Sequence, residues 1–450
     1  MIGLLLLLPW LAAAGAAGKV AVRAGRIVPV VGPEIRDGVI LIEDGRIAAV
    51  GRAKPEGKEP AEGKPGEPPF VDVPWDATVI DAAEQTVFPG MVEAHSSRGL
   101  DRPNENVPVT PFVTVLDAID PVSFYFEDAL RDGITTILVL PGNNCVIGGQ
   151  GRVLKPYGRT VEAMTVKPEG GMKISVSPKS GFTRLSQMAE LRKAFAELRE
   201  YRERLVERKR DEREEEKAKE RKEGTPKAPA AAGGDLVQED DVDARKRPLV
   251  DLVEGRMPAF VWCERAMDVA HAIEVARGNG FLARTTLVLG PECWKAADEI
   301  KASARPVVLD ATLLHVEEDP LTGEEKRTNV PRVFHEKGIP FALQTETSAL
   351  GSRYLWYQAA ACVRNGIPRE AALRAITLTP AEILGLGSRL GSIEPGKDAN
   401  LLLLTGDPLD AQTWVDRVLL EGELVYERAK DERLRRLLEG TEKPKEGKEK

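Results

Sequence analysis

Histidine and paired cysteines are scarce in this chain of 450 residues. It has four histidines, and its four cysteines are widely spaced without a C-x-x-C pair. This excludes the familiar zinc and redox motifs, and it does not make a disulfide scaffold, although an oxidising compartment would still allow a single bridge. The net charge of −8, with no basic face, argues against a nucleic-acid partner.

The sequence also lacks an apolar run long enough to span a bilayer. The first residues, "MIGLLLLLPWLAAAGAAGK", combine a short apolar run with small residues, and Ala14-Gly15-Ala16 matches an A-x-A cleavage pattern. We therefore predict that residues 1–18 are a signal peptide. The mature protein is expected to be exported, periplasmic or extracellular, without membrane attachment. The alternative, a buried first strand, suits Pro9 and the Ala/Gly cluster poorly.

Short strands with tight turns occur at both ends of the chain. "KVAVRAGRIVPV" and "GVILIEDGRIAAVG" alternate apolar and polar residues, and Asp44-Gly45 within the second stretch is a strong hairpin signal. "RLGSIEPGKDANLLLLTGDPLD" and "VDRVLLEGELVYE" have the same character. Residues 19–86 and 388–428 are therefore predicted to build one small β-sandwich domain from both chain ends.

The middle of the chain, residues 87–387, alternates short apolar strands with helical stretches. Such alternation over about 300 residues predicts an α/β fold, a (β/α)8 TIM-like barrel being its simplest closure. The eighth strand is expected near "VEAMTVK" (161–167). The other seven strand candidates are "VFPGMVEAH", "GITTILVLPG", "GMKISVS", "PAFVWCE", "TTLVLG", "RPVVLDA" and "PFALQTE".

A charged helical insertion with its linker is predicted within the barrel, over residues 185–247. Residues 197–223 hold 22 charged side chains, eleven of each sign. A balanced charge run has no inherent target, so a solvated helix is preferred over a protein-binding arm. A narrow apolar seam predicts that this helix packs by one edge, and it comprises Leu185, Met188, Leu191, Phe195, Leu198 and Leu205.

The C-terminal residues 429–450 are mostly charged and are predicted to be disordered.

Four motifs identify a resemblance to a known family. "VFPGMVEAHSS", "LPGNNCVIGGQGRVLK", "LTPAEILGL" and "GSIEPGKDANLLLLTGDPL" resemble the amidohydrolase superfamily, in particular its imidazolonepropionase-related branch. The resemblance implies a metal-bearing barrel and a β-sandwich assembled from both termini. It also implies hydrolysis of non-peptide amide or cyclic amide C–N bonds by a metal-bound hydroxide.

The metal ligands of the close relatives are only partly present here. Those relatives use His-x-His on the first strand, sometimes a carboxylated lysine in mid-barrel, histidines on the fifth and sixth strands, and an aspartate on the eighth. By resemblance, His95 matches the first histidine, but Ser97 replaces the second. Lys173 matches the lysine, and Glu346 stands for the aspartate.

The histidines of the fifth and sixth strands are absent. "WCER" replaces the fifth-strand motif, and strand alternation places Trp262 and Glu264 on one face, with Cys263 pointing away. Leu289 stands where the sixth-strand histidine is expected. The three remaining histidines of the chain are not expected to replace the missing metal ligands. They are His271, His315 and His335.

These substitutions lead to the hypothesis of a catalytically impaired or inactive protein without a cofactor. Two neighbouring carboxylates, Glu264 and Glu346, would repel each other without a cation. The Lys173 ammonium is expected to lie between them, beside His95, and to supply the charge that a metal supplies in relatives. Trp262 is expected to fill the vacated space.

Two alternatives remain open. The first is an active mononuclear hydrolase with one divalent metal (Zn, Mn or Mg) on His95, Glu264 and Glu346, with or without a carboxylated Lys173. Glu346 would be its catalytic base.

The second alternative is an exported binding or scaffold protein. Asn143, Asn144 and Gln150, in "PGNNCVIGGQG", and Trp262 would hold a small polar ligand at the barrel mouth. The same stretch is equally compatible with a rigid turn that closes the mouth.

Overall fold

The computed structural model describes residues 18–54, 67–223, 237–347, 349 and 351–439. Apart from its last residue, the predicted signal peptide lies outside this range. The chain divides into two compact units, one formed by Met1–Gly90 with Ser388–Lys450 and the other by Met91–Gly387.

Eighteen strands occur in the described residues. In chain order they are β1 (Val20–Ile27), β2 (Ile35–Glu43), β3 (Arg46–Ala53), β4 (Phe70–Val71), β5 (Thr78–Pro89), β6 (Met91–Ser96), β7 (Ile134–Val139), β8 (Ile147–Leu154), β9 (Thr165–Ser175), β10 (Ala259–Cys263), β11 (Thr285–Leu289), β12 (Val307–Leu309), β13 (Leu314–Glu318), β14 (Glu325–Asn329), β15 (Phe341–Leu343), β16 (Leu401–Leu404), β17 (Val415–Leu420) and β18 (Glu423–Glu427).

Eleven α-helices occur in the same residues. They are α1 (Phe124–Arg131), α2 (Val161–Met164), α3 (Arg184–Glu223), α4 (Arg247–Val253), α5 (Ala266–Gly278), α6 (Ala297–Ser303), α7 (Val330–Glu336), α8 (Leu355–Arg364), α9 (Arg369–Ala375), α10 (Leu378–Ile383) and α11 (Glu432–Glu439). Helix α11 lies in the stretch for which the sequence predicts disorder. No helix in the described ranges is both long and apolar enough to cross a membrane.

Both chain ends contribute to the sheet of the first unit. Its strand order is β18-β17-β16-β5-β1-β2-β3-β4. The predicted hairpin joins β2 to β3, and Gly45 adopts φ +76°, a left-handed conformation that glycine accepts readily. Aliphatic side chains from strands of both chain ends form one buried core. The Ala399 N–H, just before β16, donates to the Gly45 carbonyl of the hairpin at 2.8 Å. The strand-rich domain implied by both ends is therefore present.

The second unit contains a nearly closed eight-stranded barrel. Its order is β15-β12-β11-β10-β9-β8-β7-β6, and β15 also contacts β6. The predicted α/β barrel class is confirmed, and the seven strands assigned from apolar runs are all present. Their ladders are parallel except where β8 pairs with its neighbours.

The predicted position of the eighth strand is wrong. Val161–Met164 forms helix α2, and Thr165 begins β9, the same strand that carries Lys173. The eighth strand is β8, which runs antiparallel to both β7 and β9. Its sequence "IGGQGRVL" has few apolar side chains to mark a strand. Its glycines allow close packing, since a Cβ on Gly151 would lie 2.6 Å from the Val139 carbonyl oxygen.

The charged insertion forms the 40-residue helix α3, which packs by one edge as its seam predicts. Leu185 is 86% exposed, whereas the other five seam residues are buried. Phe195 stacks on Phe281 with ring centroids 5.5 Å apart. Beyond Leu205 nearly every described side chain of the helix is exposed. The four cysteines are all free and buried.

Candidate functional site

The carboxyl ends of three barrel strands bring together the residues of the candidate site. His95 lies at the end of β6, Lys173 near the end of β9, and Glu346 just after β15. His95 and Lys173 are completely buried, and the Glu346 side chain is 26% exposed. Parallel strands present their carboxyl ends at one face of a barrel, so residues far apart in sequence meet there.

His95 connects the other groups through both ring nitrogens. Lys173 Nζ lies 2.7 Å from His95 Nε2, and Gln344 Oε1 lies 2.7 Å from His95 Nδ1. Glu346 Oε2 lies 3.3 Å from the same Nδ1. An ammonium only donates, so Nε2 accepts from Lys173 and Nδ1 carries the ring hydrogen. The contacts therefore define a neutral His95 with hydrogen on Nδ1.

Burial and neighbouring charge explain the protonation states. Burial, together with the charge of Lys173, lowers the pKa of His95 to about 4. Burial also lowers the pKa of Lys173 to about 8, which leaves it mainly cationic at pH 7. Burial would raise the pKa of Glu346, but the positive charge of the His95–Lys173 pair and a hydrogen bond from Ser97 Oγ lower it. The cluster is an ammonium, a neutral imidazole and a carboxylate in series.

The structure does not bring Glu264 into this cluster. Its side chain is exposed, and its backbone N–H donates to Ser177 Oγ and to Asp268 Oδ2 at the start of α5. The expected alternation fails because β10 ends at Cys263, one residue earlier. Cys263 is itself buried, and burial raises the pKa of its thiol while the charge of Lys173 opposes that shift.

The aromatic and apolar replacements have different environments. Trp262 is half-buried at the end of β10 and is not enclosed in the core. Leu289, at the end of β11, is buried. The expected filling of a vacated metal position by Trp262 thus remains a prediction.

Most polar side chains of the stretch 141–151, at the barrel mouth, form hydrogen bonds with backbone groups of neighbouring segments. Asn144 Oδ1 accepts from the Ser180 N–H at 2.7 Å, and Gln150 Nε2 donates to the Pro111 carbonyl at 3.1 Å. Asn143 Oδ1 is buried and has no hydrogen-bond partner in the described part of the chain. These contacts favour the interpretation of this stretch as a rigid turn.

Sequence reasoning missed two residues of the site. Gln344 contacts His95 directly, and Glu93 binds Thr345, the residue between Gln344 and Glu346. The available signals were weak: Glu93 lies two residues before His95 on β6, and Gln344 follows the short strand β15. The pairing of these chain segments, 249 positions apart for His95 and Gln344, is not readable from local pattern.

The other histidines lie elsewhere. His315 is on β13 and packs edge-on against Trp294 with centroids 6.4 Å apart. His271 lies on α5, and His335 lies in the last turn of α7.

The donor set does not fit the divalent metal that the family usually binds. Within the described ranges, no group of three or more His, Cys, Asp or Glu side chains is arranged to hold a metal ion. A metal ligand histidine needs a free nitrogen lone pair, and Lys173 engages the one at His95 Nε2. A cation at this nitrogen would first have to displace the ammonium.

Comparison with known proteins shows similarity to amidohydrolases. The profile described as "Amidohydrolase family" matches residues 254–425. The amidohydrolase tasK of Hapsidospora irregularis is 23% identical over 420 residues, covering 84% of this chain and 39% of that protein. The imidazolonepropionase of Thermoplasma volcanium is 30% identical over 111 residues, covering 23% of this chain and 28% of that protein. This chain thus spans about two fifths of the length of tasK.

A solved structure is similar over almost the whole chain. The amidohydrolase from Thermotoga maritima MSB8 aligns with a TM-score of 0.69 and 26% identity, covering 91% of this chain and 100% of that one. Fold and sequence similarity together support the amidohydrolase superfamily for this chain.

Proposed function

We propose that this protein is a degenerate amidohydrolase that does not hydrolyse C–N bonds through a metal-bound hydroxide. The observation that carries the proposal is the buried contact of 2.7 Å between Lys173 Nζ and His95 Nε2. The Lys173 ammonium lies at the imidazole nitrogen of His95, where the resemblance to amidohydrolases implies a metal ion. Export of the protein belongs to the same proposal and rests on the composition of residues 1–18 alone.

Electrostatics support a stable metal-free cluster. A divalent cation beside His95 would repel the Lys173 ammonium at short range in a poorly screened interior. Displacing the ammonium would leave a buried lysine without its partner, which is costly. Glu346 balances the lysine charge through His95, so the three groups need no further cation.

The partly exposed Glu346 carboxylate supports a ligand-binding role for the barrel mouth. Glu346 is held by His95 and Ser97, yet part of it faces solvent. We propose that it accepts hydrogen bonds from a small polar ligand. The active mononuclear alternative is less well supported because Glu264, one of its three ligands, is exposed and outside the cluster.

The test is the metal content of the full chain, purified without chelator and again after incubation with Zn²⁺ or Mn²⁺. The proposal predicts well below about one ion per chain in both samples, because the Nε2 lone pair is engaged. Hydrolysis of a panel of simple amides and lactams, assayed on the same samples, is expected to stay at background.

A matched pair of variants sharpens this test. Lys173→Met removes the ammonium on His95, whereas Lys179→Met removes another buried lysine, whose Nζ donates to the backbone carbonyls of Glu105 and Asn144. Stoichiometric metal in the unmodified chain, lost in Lys173→Met and retained in Lys179→Met, would contradict the proposal.

A further inference from the structure

Glu93 is a buried carboxylate that joins two distant parts of the candidate site. It lies on β6, two residues before His95, and is completely buried. Its Oε1 accepts from the Thr345 backbone N–H at 2.7 Å and from Thr345 Oγ1 at 2.6 Å. Thr345 stands between Gln344 and Glu346, which both contact His95 Nδ1. Glu93 therefore holds the centre of the segment that contacts His95.

The second oxygen of Glu93 is also engaged. The Tyr125 hydroxyl lies 3.0 Å from Glu93 Oε2 and 3.0 Å from Ser96 Oγ. The Arg98 guanidinium stacks on the Tyr125 ring, 4.6 Å from its centroid. Burial raises the pKa of Glu93, and the hydrogen bonds from Thr345 and Tyr125 oppose that shift. A carboxylate is costly to bury, so full hydrogen bonding at both oxygens is what makes this arrangement stable.

The segment that Glu93 holds lies beyond the sheet. Strand β15 ends at Leu343, so the backbone of residues 344–346 has no ladder partner there. Gln358 Nε2 donates to the Gln344 carbonyl at 2.6 Å, and Glu93 accepts the Thr345 N–H. Side chains thus replace the strand ladder at the place where Gln344 and Glu346 must meet His95.

We infer that Glu93 is a positioning residue that orients His95 by holding Thr345. With Thr345 in place, Gln344 Oε1 and Glu346 Oε2 both face His95 Nδ1, which keeps the ring hydrogen there and presents Nε2 to Lys173. This inference rests on the proposed function, because it takes the Lys173–His95 contact as the resting state.

Nuclear magnetic resonance of the full chain labelled with ¹⁵N-histidine tests the inference. Four histidines give a simple spectrum, and His95→Gln assigns the His95 signals. The unmodified chain should show His95 as a single tautomer with hydrogen on Nδ1. Glu93→Ala should convert it to a mixture of tautomers. Glu93→Gln should restore the single form, since its amide oxygen still accepts from Thr345.

A control separates positioning from lost stability. Leu198→Ala creates a cavity under α3, away from the site, and should lower the melting temperature without changing the His95 signals. An unchanged His95 spectrum in Glu93→Ala would overturn the inference. If Glu93→Ala does not fold, Thr345→Val and Tyr125→Phe each remove one donor to Glu93, and unchanged His95 signals in both would overturn it equally.

The same spectra distinguish this inference from the proposed function. A metal-shifted His95 Nε2 in the unmodified chain would contradict the proposed function, and this inference with it. The expected tautomer in the unmodified chain, combined with no response to Glu93→Ala, would contradict this inference alone.

Discussion

At the scale of single residues, the Lys173 ammonium helps to keep His95 neutral. Both are completely buried, and their nitrogens are 2.7 Å apart. A second cation on the imidazole would face the ammonium directly, so His95 stays neutral and Lys173 carries the charge. Burial of the imidazole, together with this ammonium, lowers the pKa of His95 to about 4, which predicts a pH dependence of stability.

We expect the free energy of unfolding to rise with pH between about 4 and 6.5. In that window the unfolded chain protonates its histidine while the native His95 stays neutral, so the unfolded state binds more protons. This stability is present above pH 6.5 and is lost as the pH falls towards 4. His95→Gln should reduce the rise by up to a few kcal/mol in urea unfolding at several pH values. An equally steep rise in this variant would show that His95 is not its source.

Residue-level prediction from the sequence succeeded in part. His95, Lys173 and Glu346 do come together, because matching motif positions lie at strand ends that meet at one face of the barrel. Glu264 does not join them, because strand alternation was extended one residue beyond the end of β10. Gln344 could not be predicted, since its contact with His95 depends on the closure of β15 against β6 and not on local pattern.

At the scale of elements, helix α3 is part of the barrel mouth and more than a solvated excursion. Gln187 Nε2 donates to the carbonyls of Cys145 at 2.9 Å and Ser175 at 2.8 Å, and Gln187 Oε1 accepts from the Lys179 N–H at 3.1 Å. Arg184 pairs with the buried Asp268. The first turns of the helix therefore hold the end of β9, two residues beyond Lys173.

Gln187→Leu should destabilise the protein by on the order of 3 kcal/mol, because it leaves buried backbone groups without partners. Glu216→Ala, on the exposed part of the same helix, should change stability by less than about 0.5 kcal/mol. Urea unfolding followed by circular dichroism measures both. Equal effects of the two substitutions would mean that the first turns of α3 do not hold the mouth.

Helices and strands could be predicted from the sequence where their buried residues recur in a regular pattern. The seam of α3 and the seven parallel strands were visible because buried positions recur at helical spacing or as short apolar runs. Strand β8 was missed because its glycines carry no side chain to reveal alternation, although they permit its close packing.

At the scale of the whole molecule, the fold is similar to that of amidohydrolases, while the described residues contain no group of three or more His, Cys, Asp or Glu side chains arranged to hold a metal ion. The barrel and the composite strand-rich domain match the Thermotoga maritima amidohydrolase over 91% of the chain. Function depends on the site, since one fold supports many activities. Here the barrel brings the carboxyl ends of its strands together at one face. Lys173, His95 and Glu346 lie at that face and form a charge-balanced cluster.

The most direct test of this account is a crystal of the full chain soaked with Mn²⁺ or Zn²⁺ and examined by anomalous diffraction. We predict no anomalous peak beside His95 and Glu346, and density for Lys173 Nζ within hydrogen-bond distance of His95 Nε2. A strong anomalous peak bonded to His95 Nε2, with Lys173 displaced, would contradict the account.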